Sequence, residues 1–562
     1  MKHFLTLIFA LSSILVFTQQ SNIKNVPAGQ RNTAPLTLQD AIALSSIEEL
    51  TLPEEYKSRS LPDSLDNSMH EWFRPIFSQV IYPNCMQSTT IAYNFTYEIN
   101  RLRGIPSDND ENLYTTHFAW NFFNGGNGWY GANYLYTMDV MKYHGSPTIA
   151  DYGGMYNGGG ERWMSGYEEW INTMNNRISG IKQIYVGDET GLLTLKHWLN
   201  DHLDGSETGG VASFIACSPY NLDHLPEGTP NAGKYVVTEF CEQASHGMTI
   251  VGYNDSIRYD YNEDGEYTNN IDLNGDGRIT MSDWEIGGVK MANSHGVQFA
   301  DSGYAYMMYK TLADHITEGG IWANRVHVLF AKENHDTRMS CKIALEHDYR
   351  ERIRVRTGIS ADVSAQKPEY IWDYTIFNYQ GGWHYMQGND TTTDHKTIEF
   401  ALDVTPLLSH IEAGSPFKIF LIVDEKDEEN LGTGQIKYFS VIDHQQGDQE
   451  YAFEDQNVPL IENGTTLLSV TLPSNPESVE IFTQELPVYE AGVPFDVQLG
   501  ASGGQEPYTW LLDRNYKMSQ DAGEFPLIDD ELLIENSFED SIVLKKLDFS
   551  FPFYGNYYDS VA

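Results

Sequence analysis

Residues 78–104 read SQVIYPNCMQSTTIAYNFTYEINRLRG. This stretch decides the fold. Asn84 is a good N-cap, and Gln87 lies three residues on, as a capping box requires. Gly104 followed by Pro106 is a stop signal. The pattern predicts a helix opening at Cys85. A thiol there faces unpaired backbone N–H groups and the positive end of the helix dipole, which favour thiolate. The alternative is a small buried hydrophobe, because Cys85, Ser88, Ala92, Phe95 and Ile99 share one helical face.

The chain around this helix has 562 residues, enough for about three or four domains. Hydrophobic residues make up 41% and aromatics 13%, so large cores are possible. The net charge of −44 argues against a nucleic-acid partner and fits an extracellular protein, with cations as possible ligands. The start, MKHFLTLIFALSSILVFTQQ, has a basic residue and an apolar run from Phe4 to Phe17, as a secretory signal does. No other stretch is long and apolar enough to span a bilayer. The expected location is therefore secreted, extracellular or on the cell surface. Four cysteines do not make a disulfide scaffold. An exported chain permits one bridge, and Cys217 with Cys241 is the first pair to test.

Residues 1–18 read as the signal and 19–60 as a short pro-segment or linker. Residues 61–324 mix helix and strand patterns and are rich in Gly, Trp and Tyr. Residues 325–473 turn to strands, RVHVLFA, YIWDYTIF, TIEFALDV, FKIFLIVD and IKYFSVI, and predict a β-sandwich. After a linker, residues 479–562 contain FDVQLGASGGQEPYTWLL, which resembles bacterial immunoglobulin-like modules. The end, FSFPFYGNYYDSVA, looks like the opening of a further β domain.

A thiolate needs a base and an oxyanion site before it can cleave an amide. Gln79 precedes Cys85, ASHGMTIVGYND carries His246, and GGVKMANSHGVQFADSGYAYMMY carries Asn293. NGGNGW carries Gly125 and Gly126, and LPDSLDN starts at Leu61. In this order the motifs resemble the papain-like cysteine peptidases, over about Leu61 to Leu312, and most closely the secreted multidomain versions of Bacteroidetes-type bacteria. The resemblance implies an α+β domain, with a helical subdomain and a β-barrel-like subdomain, followed by all-β sandwich and immunoglobulin-like domains. It implies Cys85 as nucleophile, His246 as base and then acid, and Asn293 as orienter of the imidazole. Gln79 and the Cys85 N–H would form the oxyanion hole, and the backbone of Gly125 and Gly126 would pair with an extended peptide.

The implied function is a secreted cysteine endopeptidase acting on protein or peptide through a thioester. The alternative is a weakened papain-like domain in a binding or adhesion protein, whose β domains engage a surface or polymer. The family has Trp where this chain has Met86 and His295. A paired thiol of this type has a pKa of about 3–4 against about 8.5 free. That shift is roughly 6–7 kcal/mol. A helix terminus supplies at most about 2 kcal/mol, so His246 must provide most of it.

Between His246 and Asn293 lies DYNEDGEYTNNIDLNGDGRITMSDWE, within an insert expected at 255–285. Asp272, Asn274, Asp276, Gly277, Arg278 (through its carbonyl) and Asp283 fill positions 1, 3, 5, 6, 7 and 12 of a calcium loop. Asp260, Asn262, Asp264 and Gly265 repeat the opening, with Ile271 in the twelfth place. The expectation is structural Ca²⁺ that fixes both ends of the insert and favours the His246–Asn293 contact.

Overall fold

The computed structural model describes residues 47–473, except 133, 219, 389–391 and 413, together with the backbone of two pairs of strands further on. The expected signal and most of the pro-segment lie outside the described residues. The chain divides into two units, Met1–Glu477 and Ser478–Ala562.

The helix predicted from Cys85 runs over residues 85–103. Its middle, Ser88–Phe95, is wound as a π-helix, with the Thr96 N–H reaching back to the Ile91 carbonyl. All eight residues of that middle are buried, so the helix runs through the core rather than along its surface. Three of its hydroxyls turn back onto the chain one turn earlier. Ser88 donates to the Asn84 carbonyl at 3.0 Å, Thr90 to Met86 at 2.7 Å and Thr96 to Ile91 at 3.0 Å. Gly104 ends the helix at φ +63° as predicted. The capping box does not form. Asn84 supplies the first carbonyl, but its side chain donates to Thr116 Oγ1 at 2.9 Å, and Gln87 donates to Thr137 Oγ1 at 2.7 Å. Packing against the next helical segments outcompetes the local cap.

One face of this helix lies on a mostly antiparallel sheet. Its strands are β1 (Ser64–Asp66), β2 (Ile178–Tyr185), β3 (Ala212–Ala216), β4 (Tyr220–His224), β5 (Tyr235–Phe240), β6 (His246–Arg258), β7 (Ile286–Ala292), β8 (Tyr304–Met308) and β9 (Arg325–Ala331). Their order is β2-β9-β3-β6-β7-β8-β5-β4, with β1 on β6. RVHVLFA is therefore not the first strand of the sandwich: as β9 it pairs with β2 and β3, so the boundary expected at 325 moves beyond Ala331. Of the expected pro-segment, the part described adds to the edge of β2, where Leu50 N–H reaches the Gln183 carbonyl at 2.8 Å.

Beyond β9 the chain is rich in β-sheet and forms two further sheets, the layers of a sandwich. One sheet joins β10 (Met339–His347), β13 (Thr397–Asp403), β15 (Gly434–Asp443), β16 (Gln449–Ala452) and β17 (Val458–Pro459). The other joins β11 (Ile353–Ser360), β12 (Tyr370–Asn378), β14 (Phe417–Glu425) and β18 (Thr465–Leu472). It is not an independent bead on a linker. Phe95, Trp163 and Trp170 of the helical layer share one buried cluster with Ile343, Phe377 and Phe400 of the sandwich. Trp170 lies 5.7 Å from Phe377, ring to ring, and Gly166 N–H reaches the Glu399 carbonyl at 2.8 Å.

In the second unit the described strands form two antiparallel pairs, Glu480–Ile481 with Ala501–Ser502 and Lys545–Phe553 with Asn556–Val561. The remaining residues on which the immunoglobulin-like reading rests lie outside the described set.

Candidate active site

Cys85, His246, Asn293 and Gln79 come from three parts of the chain, and packing brings those parts together. The start of the central helix presses on β6. Thr89 donates to the Met248 carbonyl at 2.8 Å and pairs with Thr249 Oγ1 at 2.7 Å. Gly247 permits the approach: a Cβ there would stand 2.7 Å from Thr89 Cγ2 and 3.2 Å from the Cys85 carbonyl. The Cys85 thiol donates to the Ser245 carbonyl at 3.8 Å and receives the Gly247 N–H, so it lies between the two chain neighbours of His246.

His246 opens β6, and Asn293 follows β7, its antiparallel neighbour. His246 Nε2 and Asn293 Oδ1 are 3.0 Å apart. The Ser294 N–H donates to the same Oδ1 at 2.7 Å, which identifies that atom as the acceptor. His246 Nε2 must then carry the proton, and Nδ1 holds the lone pair of a base. The tautomer follows from the hydrogen-bond network.

Asn293 is fully buried and held at its other end as well: Nδ2 donates to Tyr220 Oη at 2.6 Å. Tyr220 lies edge-on to Phe240 at 5.5 Å and Phe299 at 6.0 Å. No spacing in the sequence links it to Asn293. The bridge between Cys217 and Cys241, the pair singled out above, ties together the ends of β4 and β5 beside it.

Gln79 is fixed by two contacts of opposite sense. Its Oε1 accepts from Ser294 Oγ at 2.6 Å, and its Nε2 donates to the Tyr82 carbonyl at 2.7 Å. That orients the amide and leaves the second Nε2 hydrogen for another acceptor. The backbone repeats the link, with Gln79 N–H on the Ser294 carbonyl at 2.7 Å and Gly296 N–H on Phe77 at 3.1 Å. Ser294 thus couples Gln79 to Asn293. The sequence signal for it was only its place directly after Asn293.

Burial works against charge at both Cys85 and His246. It pushes the Cys85 thiol up to about 11, against backbone N–H groups of Gly247, Met86 and Cys85 that pull it down. It pushes His246 down to about 3, helped by His295 and opposed by Asn293. The backbone N–H groups at the helix start do not offset burial, in keeping with the small contribution expected of a helix terminus. Burial thus disfavours the charged form of each group taken alone. His295, where the family resemblance expects Trp, stacks on His246 with ring centres 4.8 Å apart. Met86 is buried in the core.

Gly125 and Gly126 do not offer an extended edge. Both are left-handed, at φ +70° and +72°. The Gly126 N–H donates to Asn124 Oδ1 at 2.8 Å, and its carbonyl accepts from His384 Nε2 of the sandwich. The Gly126 groups, already paired in a left-handed turn, cannot also extend a peptide strand.

The acidic insert connects β6 and β7 at the end of the hairpin away from His246 and Asn293. Ile286, which pairs with Arg258 at the insert, is seven residues from Asn293 along β7, roughly 23 Å at about 3.3 Å per residue. Cation binding there cannot act directly on the His246–Asn293 contact. The insert closes on buried acids. Asp283 accepts from Leu273 N at 2.9 Å, Asn274 N at 3.2 Å and Thr280 N at 2.8 Å, and Glu285 from Tyr261 N at 2.9 Å and Thr268 N at 3.1 Å. Among the described residues no three His, Cys, Asp or Glu side chains converge as a metal site. The backbone nevertheless has the turn a calcium loop needs. Gly277 and Gly265, at position 6 of each loop, have φ +86° and +81°, and both Asp272 oxygens accept loop N–H groups at 2.8 Å.

No family model matches the chain, and no curated protein matches it. Among solved structures it is similar to xylellain, a cysteine protease from Xylella fastidiosa, with 14% identity over 53% of this chain and 95% of that one, at a TM-score of 0.33. It is similar to procathepsin B from Trypanosoma congolense, with 14% identity over 55% of this chain and 90% of that one, at 0.35. It is also similar to a recombinant stem bromelain precursor, with 13% identity over 57% of this chain and 89% of that one, at 0.32.

Proposed function

We propose that the chain is a secreted cysteine endopeptidase working through Cys85, His246, Asn293 and Gln79. The observation that carries this reading is the proton assignment on His246. Asn293 Oδ1, fixed by Ser294 N–H, holds Nε2–H and leaves Nδ1 as the base of a residue whose neighbours flank the thiol. In the first step the Cys85 proton passes to Nδ1 as sulfur bonds to the peptide carbonyl carbon. The carbonyl π electrons move to oxygen, which the free Gln79 N–H and the Cys85 backbone N–H stabilise. The oxyanion then collapses, the C–N bond breaks, and Nδ1–H gives its proton to the leaving amine. Water, deprotonated by the same Nδ1, cleaves the thioester and restores the thiol. Tyr220 and Ser294 act through Asn293 and Gln79 as positioning residues.

The test is hydrolysis of a quenched peptide library by the purified full chain. Wild type should cleave, and Cys85→Ala and His246→Ala should each abolish cleavage, since nucleophile and base act as one unit. Cleavage retained in either variant rejects the mechanism. A binding protein with a silent site is the competing reading, favoured by the Met86 and His295 departures, and it predicts no cleavage by the wild type.

The insert is proposed to take Ca²⁺ in a structural role. The donors are Asp272, Asn274, Asp276, Asp283 and the Arg278 carbonyl, with Asp260, Asn262 and Asp264 as the second set. The left-handed glycines at position 6 support the fit. At about a hundredfold excess over the dissociation constant, the linked stabilisation is about 2.7 kcal/mol. Chelator should lower Tm and expose the insert to proteolysis. Unchanged Tm and digestion pattern, with no metal retained, reject the assignment.

A further inference from the structure

Apart from the thiol site, the described residues enclose a cavity of about 1360 Å³ between the helical layer and the sandwich. Phe122, Phe123, Tyr130 and Tyr136 line one side; Tyr379 and Trp383 line the other. Trp383 is 51% exposed and Tyr136 49%, although most large aromatics of this unit are buried. A mouth of half-exposed aromatic rings on two walls is a binding surface rather than a core defect.

Three features define what would bind. First, the cavity wall has no unbalanced charge. No lysine or arginine is among its lining residues; its carboxylates are Glu351 and Asp373. Asp373 is paired with Arg354 at 2.5 Å, and Glu351 lies beside Arg352 and Arg350 and accepts from Trp383. Second, His384 holds an unfilled acceptor. Its Nε2 must carry the proton given to the Gly126 carbonyl, so Nδ1 is a bare lone pair, and this buried atom has no partner. Third, the sandwich wall is strained. Phe377 and Tyr379 both sit at φ +53°, where bulky residues are rare, and the register between β11 and β12 slips by several residues at this point. Such strain concentrates where a wall is shaped for a ligand.

We infer that this cavity binds a neutral oligosaccharide. The apolar C–H faces of sugar rings pack on exposed indole and phenol rings. Their hydroxyls meet amide and carboxylate groups of the rim, among them Gln380, Glu351 and Asp373. The absence of net charge disfavours an ionic ligand. The site uses no part of the thiol chemistry, so it stands or falls independently of the peptidase reading.

The test uses the full chain carrying Cys85→Ala. Calorimetric titration is run with neutral hexasaccharides of glucose, mannose, galactose, xylose and N-acetylglucosamine. Hexagalacturonate, a chitosan hexamer and an uncharged hexapeptide serve as controls. At least one neutral sugar should bind, and Trp383→Ala and Tyr136→Ala should each weaken it about tenfold. Tm is measured for both variants, and His384→Gln provides a third whose loss of affinity does not depend on a ring. Binding of none of the neutral sugars, binding of only a charged sugar or the peptide, or affinity unchanged by all three substitutions overturns the inference.

Discussion

Replacing Tyr220 by Phe removes one oxygen from the far end of the proposed relay and keeps the ring that packs on Phe240 and Phe299. The lost contact is the 2.6 Å bond from Asn293 Nδ2, and Asn293 is fully buried. A buried donor left without an acceptor costs about 1–3 kcal/mol. The amide cannot escape by turning over, because Oδ1 is held by Ser294 N–H and by His246. Most of the cost therefore falls on stability. The share reaching the transition state is that of one net hydrogen bond, about 0.5–1.5 kcal/mol, since Asn293 still holds the imidazole. That is roughly a 2- to 13-fold fall in kcat/KM. Because Tyr220 acts through Asn293 rather than on substrate, the fall should lie in kcat with KM unchanged. Steady-state kinetics on one fluorogenic peptide, with Tm recorded alongside, reads both terms. A kcat identical to wild type, or one as low as that of Cys85→Ala, refutes the positioning role. A rise in KM alone refutes it equally.

Gln79→Ala should lower kcat about 10²–10³-fold if the amide donates to the oxyanion, and an unchanged kcat removes it from the site. Opening the Cys217–Cys241 bridge with Cys217→Ser and Cys241→Ser frees a loop whose ends are 24 residues apart. The chain-entropy relation puts the loss at about 3.5 kcal/mol, to be read as a shift of the urea midpoint; equal midpoints refute it. Acid should destabilise the fold early. His117, His144, His246 and His327 are each pushed by burial from 6.5 to about 3. Between those values the unfolded chain binds protons that the folded chain does not. Stability is thus fully present above about pH 6.5 and is lost as pH falls, at up to about 1.4 kcal/mol per histidine per pH unit. Urea midpoints that stay level from pH 7 to pH 5 contradict this.

Much of the site was legible because its elements are local. A cap-like Asn before Cys85, a Gly104 stop, and strands carrying His246 and Asn293 are each read within a few residues. What was not legible depends on packing between distant segments. The Asn84 side chain leaves its own helix for Thr116, which only the assembled helical layer offers. Tyr220 reaches Asn293 across two strands that are not sequence neighbours. RVHVLFA reads as a sandwich strand by composition, but its partners β2 and β3 lie far upstream. The Gly125–Gly126 turn looked free because His384, which occupies its carbonyl, arrives from the sandwich. The burial that raises the Cys85 thiol is likewise a property of the assembled helix and sheet, invisible in the helix start alone.

The central claim is that His246 Nδ1 activates Cys85. Its most direct measurement is covalent labelling of the native chain by a peptidyl epoxide in reducing buffer, followed by peptide mapping. The account predicts labelling of Cys85 and not of Cys341, although both are buried, and loss of that labelling in His246→Ala. Labelling of Cys85 at the same rate without His246, or no labelling of Cys85 in the wild type, would contradict it.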